Sequence, residues 1–163
     1  MPNLTGRPEV FHIASGDVDT SQQIPLGTRA SDTSGNEYIY LRGTASVATG
    51  DWCYIFYDSF TVARSGADVV GPIGIAGTAI TAAQFGWFQI YGRSAIANIV
   101  TGAGQAVGSG PLPLYLTSTA GRAGTADVAG DLIEGAFILG GIAAANTGTA
   151  FVTYPATYNV AQD

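Results

Sequence analysis

Lysine is absent from the 163-residue sequence, and cysteine, histidine and methionine occur once each. Six arginines stand against twelve acidic residues, which gives a net charge of −6. Proteins bind nucleic acids largely by neutralising phosphates with cationic side chains, so this composition predicts no nucleic-acid partner. A surface of small residues without lysine loses little side-chain entropy when a partner covers it and suits permanent docking. A compositional bias of the source genome explains the missing lysine equally well.

Long apolar runs are also missing. No stretch approaches the roughly 20 apolar residues that a membrane-spanning helix requires. The first five residues, Met1 to Thr5, lack the basic and apolar regions of a secretion signal. We therefore expect a protein that is made in a cytoplasm and has no membrane partner.

The lone cysteine and the lone histidine exclude several kinds of site. Cys53 has no partner for an internal disulfide, and zinc sites built from cysteine pairs are excluded. Its position between Trp52 and Tyr54 predicts a place in the core. His12 is the only histidine that a nucleophile could use as a base, and it lies in a segment with little regular patterning. We expect no enzyme activity and rank a small hydrolase last.

Acidic and glycine-rich motifs do not point to a cofactor or metal either. The pairs Asp17 with Asp19 and Asp127 with Asp131 lack the dense ligand spacing of a calcium loop. Residues 102–108 resemble a dinucleotide-binding fingerprint, but the third glycine is one position late and no long helix follows. We interpret these residues as turns and loops and expect neither a metal nor a cofactor.

The sequence is rich in glycine, with 23 residues, and 47% of it is hydrophobic, which supports one compact domain. From Glu37 onward, short runs of β-branched and aromatic residues are separated by glycines about every ten residues. This rhythm predicts an all-β fold, a compact β-sandwich or barrel of about eight short strands. The predicted strands are 37–42, 52–57, 60–64, 86–91, 95–100, 112–118, 132–139 and 149–154.

Residues 1–36 differ from the rest because they have few apolar residues and many turn formers. We interpret them as an extended N-terminal arm, with one short strand at 10–13, ahead of a β-rich domain at 37–163. Arms of this kind order against their own domain or against a neighbouring copy. Residues 71–77 are interpreted as a turn-rich connection, and residues 79–85 and 142–146 are each interpreted as a turn or a short helix.

Alternation within the strands predicts which side chains share a face. One face of the strand at 86–91 carries Trp87, Gln89 and Tyr91, a polar side chain between two large amphipathic rings, which suits a contact surface. On the strand at 37–42, Tyr38 and Tyr40 lie on one face. The opposite faces carry Phe88 and Ile90, and Ile39 and Leu41.

A stripe of three aromatic residues, Trp52, Tyr54 and Phe56, also shares one face of its strand. Core packing is the interpretation we favour for it, and a platform for carbohydrate remains the alternative. The acidic residues Asp51 and Asp58 flank the same strand, and we expect them to mark its turns.

Three stretches carry a family resemblance: Ala83-Gln84-Phe85-Gly86-Trp87-Phe88-Gln89-Ile90-Tyr91-Gly92, Leu114-Tyr115-Leu116-Thr117-Ser118-Thr119-Ala120-Gly121 and Ile133-Glu134-Gly135-Ala136. Together they resemble the small head decoration, or cement, proteins of tailed bacteriophages. The resemblance covers roughly residues 43–155, about two thirds of the chain. Its motifs are structural rather than catalytic.

The resemblance implies a non-enzymatic protein that binds the outer surface of the major capsid protein lattice in the virion and stabilises the head. It also implies a homotrimer made in the host cytoplasm. On this basis we predict interface residues in the arm and on the strand at 86–91: Val10, Phe11, Ile13, Trp87, Gln89 and Tyr91. The alternative function is a host-attachment or glycan-binding module of a phage tail fibre or spike.

Overall fold

The computed structural model of the chain describes residues 13–100, 111–126, 131–140 and 146–158. Within these ranges the only regular secondary structure is β-strand, which confirms the predicted all-β class. Eleven strands form one continuous sheet, three more than the sequence predicted. None of the described segments contains a helix of the length and hydropathy needed to cross a membrane.

The strands in chain order are β1 (Val18–Asp19), β2 (Arg29–Ser31), β3 (Glu37–Gly43), β4 (Trp52–Phe56), β5 (Thr61–Arg64), β6 (Gly71–Ala76), β7 (Phe85–Val100), β8 (Leu112–Leu116), β9 (Ala123–Gly124), β10 (Leu132–Ile138) and β11 (Thr147–Thr157).

The longest strand, β7, organises the sheet because five other strands pair with it. Its first half pairs with β1, β3 and β6, and its second half pairs with β9, while β11 bridges the two halves. The sequence predicted two strands at 86–91 and 95–100, but they are one strand that continues through Gly92, where φ is +99°. Because β7 also pairs with β3, β6 and β11, which lie far from it in the strand order, the sheet closes on itself around β7.

Two hydrophobic cores lie on opposite sides of β4 and β6. Alternate residues of β4 divide between them: Trp52 packs in the larger core with residues of β7 to β11, while Cys53 and Ile55 pack in the smaller core with β3, β5 and β7. Ile73 and Ala76 of β6 divide in the same way. Both faces of β4 and β6 are buried, and both faces carry apolar side chains. In other proteins too, strands that are buried on both faces have near-continuous apolar sequences.

A third cluster, which we call the aromatic layer, lies on the outer face of β3 and β7. It consists of Tyr38, Tyr40, Phe85 and Trp87. Residues 13–31, which we call the covering segment, pack over it through Ile13, Ile24, Leu26 and Ala30. The predicted sharing of faces on these two strands is confirmed, since the opposite side chains lie in the smaller core.

The N-terminal segment contributes two strands to the domain's own sheet. Residues of β1 pair with Phe85 and Gly86 of β7, and β2 pairs with β3. The part of the predicted arm from residue 13 to residue 36 thus orders against its own domain in this single chain. Val10, Phe11 and His12 lie outside the described residues, and Ile13 belongs to no strand.

The interpretation of residues 71–77 as a turn-rich connection is wrong. Six of them form β6, which pairs with β4 and β11. Gly71, Pro72 and Gly74 are weak strand formers, so local preference argued against a strand. Burial between the two cores and pairing on both edges outweigh that preference.

Of the two alternatives for residues 79–85, the turn is correct and the helix is wrong, since Ala82 and Ala83 form a turn closed by the hydrogen bond from the Gln84 N–H to the Thr81 carbonyl. Ile80 forms a β-bridge with Val47, and Ala83 has φ of +69°, which is incompatible with a right-handed helix. The short alanine-rich run has too few residues to stabilise a helix by itself. Of the second segment interpreted as a turn or short helix, residues 142–145 lie outside the described ranges. Residues 102–108, the glycine-rich motif, also lie outside them.

Candidate functional site

The predicted interface residues do not form one exposed surface in the single chain. Trp87 and Gln89 are buried, with 6% and 4% of their surfaces exposed, whereas Tyr91 is half-buried. Ile13 packs on the aromatic layer, and Val10 and Phe11 lie outside the described residues. Trp87 and Gln89 are therefore unavailable to a partner while the covering segment keeps this position.

Close ring packing explains the burial of Trp87. Its ring centroid lies 5.2 Å from that of Tyr40, and Tyr40 stacks on Phe85 at 6.0 Å. The ring of Trp87 also lines a partly open cavity of about 350 Å³ beneath the covering segment, together with Ile24 and Asp17. Part of the predicted contact surface is thus an internal contact, which alternation alone does not reveal.

Gln89 lies beside a smaller polar cavity. Its side-chain amide donates a hydrogen bond to the backbone carbonyl of Tyr91 at 3.1 Å. The cavity of about 150 Å³ is also lined by Ser15, Ser94 and Arg93. The Ser94 hydroxyl is buried and has no hydrogen-bond partner among the described residues. Such a cavity has room for ordered water, which would satisfy that hydroxyl.

Two of the four acidic residues considered as metal ligands accept hydrogen bonds within the domain. Asp19 accepts a hydrogen bond of 2.6 Å from the Tyr40 hydroxyl, and burial together with this bond raises the pKa of Tyr40 to about 12. Asp131 accepts a bond from the backbone N–H of Asp68 at 2.7 Å. Asp127 lies outside the described residues. No cluster of three potential metal ligands occurs within the described part of the chain.

Asp51 has a role that the sequence did not indicate beyond a turn. It is 4% exposed, and its carboxylate accepts bonds from the Ala48 backbone N–H, Arg64 Nε and Asn98 Nδ2 at 2.8, 2.6 and 2.8 Å. These bonds join the turn before β4 to β5 and β7. No local signal distinguishes this acid from Asp58 at the other end of the strand.

The core position predicted for Cys53 is confirmed, since it is fully buried. Burial, reinforced by the nearby Asp51 carboxylate, raises the pKa of the thiol well above its ordinary value. A thiol that stays protonated is a poor nucleophile.

The stripe on β4 does not form a carbohydrate platform. Trp52 is fully buried, and its indole N–H donates to the carbonyl of Asn98 at 3.1 Å. Tyr54 and Phe56 pack edge to face at 4.6 Å, and only Phe56 is exposed. The favoured interpretation of core packing is confirmed for Trp52.

A different set of rings forms a continuous surface feature, which we call the aromatic row. It runs across three strands in the order Phe137, Phe151, Tyr91 and Tyr154. Successive ring centroids are 5.8, 5.9 and 5.6 Å apart. Tyr154 is 51% exposed and the other three rings are half-buried. The row unites residues that are up to 63 positions apart, so only strand pairing brings them together.

Tyr154 is held at the end of the row by two charged neighbours. Its hydroxyl donates a hydrogen bond of 2.7 Å to Glu37, and the guanidinium carbon of Arg29 lies 5.8 Å from its ring centroid. The bond to Glu37 raises the pKa of the Tyr154 phenol. Tyr154 also has φ of +51°, an uncommon conformation for a large side chain. Only Tyr91 of this row was among the predicted site residues.

Comparison with known proteins yields no match of any of three kinds: no family model, no curated protein and no solved structure resembles the chain significantly.

Proposed function

We propose that this protein is a head decoration protein of a tailed bacteriophage, which binds the outer surface of the major capsid protein lattice and stabilises the head without catalysing a reaction. The supporting observation is the family resemblance together with its place in the fold. The stretch 83–92 covers the first part of β7, 114–121 covers most of β8 and the following turn, and 133–136 lies in β10. The resemblance thus coincides with strands that build the cores.

The fold suits such a role because it is stiff. The two cores share β4 and β6, and the longest strand pairs with five others, so the body resists local opening. A rigid module transmits load between the capsid subunits that it joins. A flexible one would stretch before it resisted the outward pressure of packaged DNA.

Multivalency supplies the strength of attachment in this proposal. A homotrimer that engages three sites gains effective concentration for its second and third contacts. Each contact then needs only a standard interface of about 800 Å² per partner. Rupture of the head requires several such contacts to be released together.

Imaging of virions with and without the protein tests the proposal directly. We expect additional density on the outside of the head lattice only in particles that carry the protein, and full recovery when purified protein is added back. Density at the tail alone, or none on the particle, would overturn the decoration role.

Native mass measurement tests the homotrimer. The expected mass is three times the 16.6 kDa of the chain. Trp87→Ala would leave a cavity under the covering segment, so Tyr91→Ala is the cleaner probe of an interface on β7. A monomer at the concentration that saturates heads would exclude the trimeric form.

A host-attachment module of a tail fibre or spike is the second candidate. The observation in its favour is the exposed ring of Tyr154, since such rings serve for binding to surface sugars. Gold labelling of intact virions separates the two, because the label falls on the tail in this case and on the head lattice in the first.

A further inference from the structure

We infer that the aromatic row is a binding site for an oligosaccharide that carries carboxylate groups. The inference goes beyond capsid decoration and holds whether the protein lies on the head or on the tail. It depends on ring geometry, charged neighbours and the strained backbone at Tyr154.

The rings offer a continuous aromatic strip. Phe137 and Phe151 are directly opposite each other on β10 and β11 and stack with an interplanar angle of 13°. Tyr91 meets Phe151 edge to face and Tyr154 at 34°. A sugar ring has a flat face of C–H groups that packs on an aromatic side chain, while its hydroxyls point outward to polar partners. A strip of several rings accommodates successive sugar units.

Two charged groups lie directly against the exposed ring of the row, and a third lies on the strand opposite it. Glu37 and Arg29 contact Tyr154, and Arg93 is exposed and directly opposite Phe151 in the register of β7 and β11. Aromatic residues and arginine are enriched at the centre of a protein–protein interface, but glutamate is depleted there, and Glu37 is bonded to Tyr154. A ligand that brings hydroxyl and carboxylate groups up to the aromatic surface fits this arrangement better than an apolar protein face.

Two arginines explain the preference for an acidic sugar. Among the described residues the only ion pair joins Arg64 to Asp51, so Arg29 and Arg93 have no carboxylate partner there. In a chain with a net charge of −6, two such arginines beside one aromatic row are a local exception. Guanidinium groups bind carboxylates through paired, charge-assisted hydrogen bonds.

The backbone holds Tyr154 ready for contact. A left-handed conformation is unfavourable for a residue with a side chain, so surrounding contacts must maintain it. Gly135 on the neighbouring strand has φ of +74°, and the Thr153 hydroxyl donates to its carbonyl at 3.2 Å. The register between β10 and β11 shifts at this point. The irregularity directs Tyr154 outward, as bulges near binding sites often do.

Carbohydrate binding by the full chain tests the inference. The probes are an array of neutral, uronic-acid and sialylated oligosaccharides, followed by calorimetry with hexagalacturonate and with neutral maltohexaose. We expect binding to acidic oligosaccharides, weakened about tenfold or more by Tyr154→Ala and by Tyr91→Ala. Arg93→Gln should remove the preference for the acidic probe. Tyr57→Ala, which removes an exposed tyrosine away from the row, should bind like the parent chain.

Thermal melting identifies any variant that fails to fold, and Tyr154→Phe then provides a conservative second variant that keeps the ring. No binding to the array or to millimolar hexagalacturonate would overturn the inference. An equal loss in the Tyr57 variant would overturn it as well. Loss of self-association, or of head occupancy, in the Tyr154 variant without sugar binding by the parent would instead assign the row to a protein contact. That result would leave the decoration role intact, whereas failure of head binding by the parent chain would not affect the sugar assay.

Discussion

Asp51 shows how one buried carboxylate can connect three parts of a β fold. It accepts hydrogen bonds from the turn before β4, from Arg64 on β5 and from Asn98 on β7. Asp58 flanks the same strand, but within the described part of the chain its side chain accepts a hydrogen bond only from the exposed Ser59 hydroxyl, at 3.1 Å. Two acids with similar sequence surroundings therefore make very different contributions to stability.

We expect Asp51→Asn to lower the free energy of unfolding by about 2–3 kcal/mol. The asparagine side chain keeps the shape of aspartate but loses its charge, and its NH₂ group would face N–H groups that now donate to the carboxylate. Urea denaturation measures the change. The matched control Asp58→Asn should stay within about 0.5 kcal/mol of the parent. Equal effects of the two substitutions would contradict the role given to Asp51.

Tyr40 couples the covering segment to β3 through its hydrogen bond to Asp19. Its pKa is raised to about 12, first by burial and then by that bond. In the unfolded chain the phenol loses its proton near pH 10. Between these values the folded protein binds more protons than the unfolded chain, so stability is fully present below pH 10 and is lost as the pH rises toward 12.

Tyr40→Phe tests this coupling. We expect the variant to be less stable than the parent at pH 7, by about 1–2 kcal/mol, because the hydrogen bond to a carboxylate is lost. The difference should shrink between pH 10 and pH 12, since only the parent loses a favourable protonated phenol there. Urea denaturation across the pH series provides the measurement. A difference that stays constant over this range would be inconsistent with the raised pKa.

At the level of elements, close approaches between strands depend on particular glycines. Gly50 precedes β4 with φ of +80°, and a Cβ atom there would lie 1.9 Å from the carbonyl oxygen of Ile96 on β7. Its own carbonyl accepts the N–H of Asn98 at 2.9 Å. The turn thus contacts β7 backbone to backbone, which leaves no room for a side chain.

Gly50→Ala should lower the free energy of unfolding by about 3 kcal/mol or more, because backbone strain and a steric clash add together. Two other glycines separate these causes. Gly35 has φ of +81° with open space around it, and we expect a loss of about 1 kcal/mol for Gly35→Ala. Gly66 also has open space and no positive φ, so Gly66→Ala should be nearly neutral. Denaturation curves that rank the three variants differently would contradict this explanation.

At the level of the whole molecule, three apolar clusters are layered across the strands. The aromatic layer lies outside β3 and β7, the smaller core lies between these strands and β4 with β6, and the larger core lies beyond. The strands that these clusters join have little freedom to open independently of one another. In the proposed role this stiffness lets several weak contacts act together.

Heads that carry the protein should therefore release their DNA at a higher temperature than heads that lack it. The physical reason is that multivalent contacts must break together, so each bound copy adds to the barrier for rupture. Fluorescence of a DNA-binding dye during heating measures the release. Heads depleted of the protein and then resupplied with it are the control. Identical release temperatures with and without the protein would argue against a stabilising role.

The sequence by itself determined the all-β class, the faces of β3 and the first half of β7, and the core position of Cys53. These features follow from composition and from alternation with a period of two, both of which are local. The positions of most predicted strands were also correct, because β-branched and aromatic residues concentrate in them.

Only the tertiary structure decided the rest. It made residues 71–76 a strand between two cores, joined two predicted strands into β7, placed the covering segment over Trp87 and assembled the aromatic row from three strands. Each of these features depends on which strands pair and in what register. Pairing between distant segments is selected by the packing of the whole chain, so no short window of sequence contains that information.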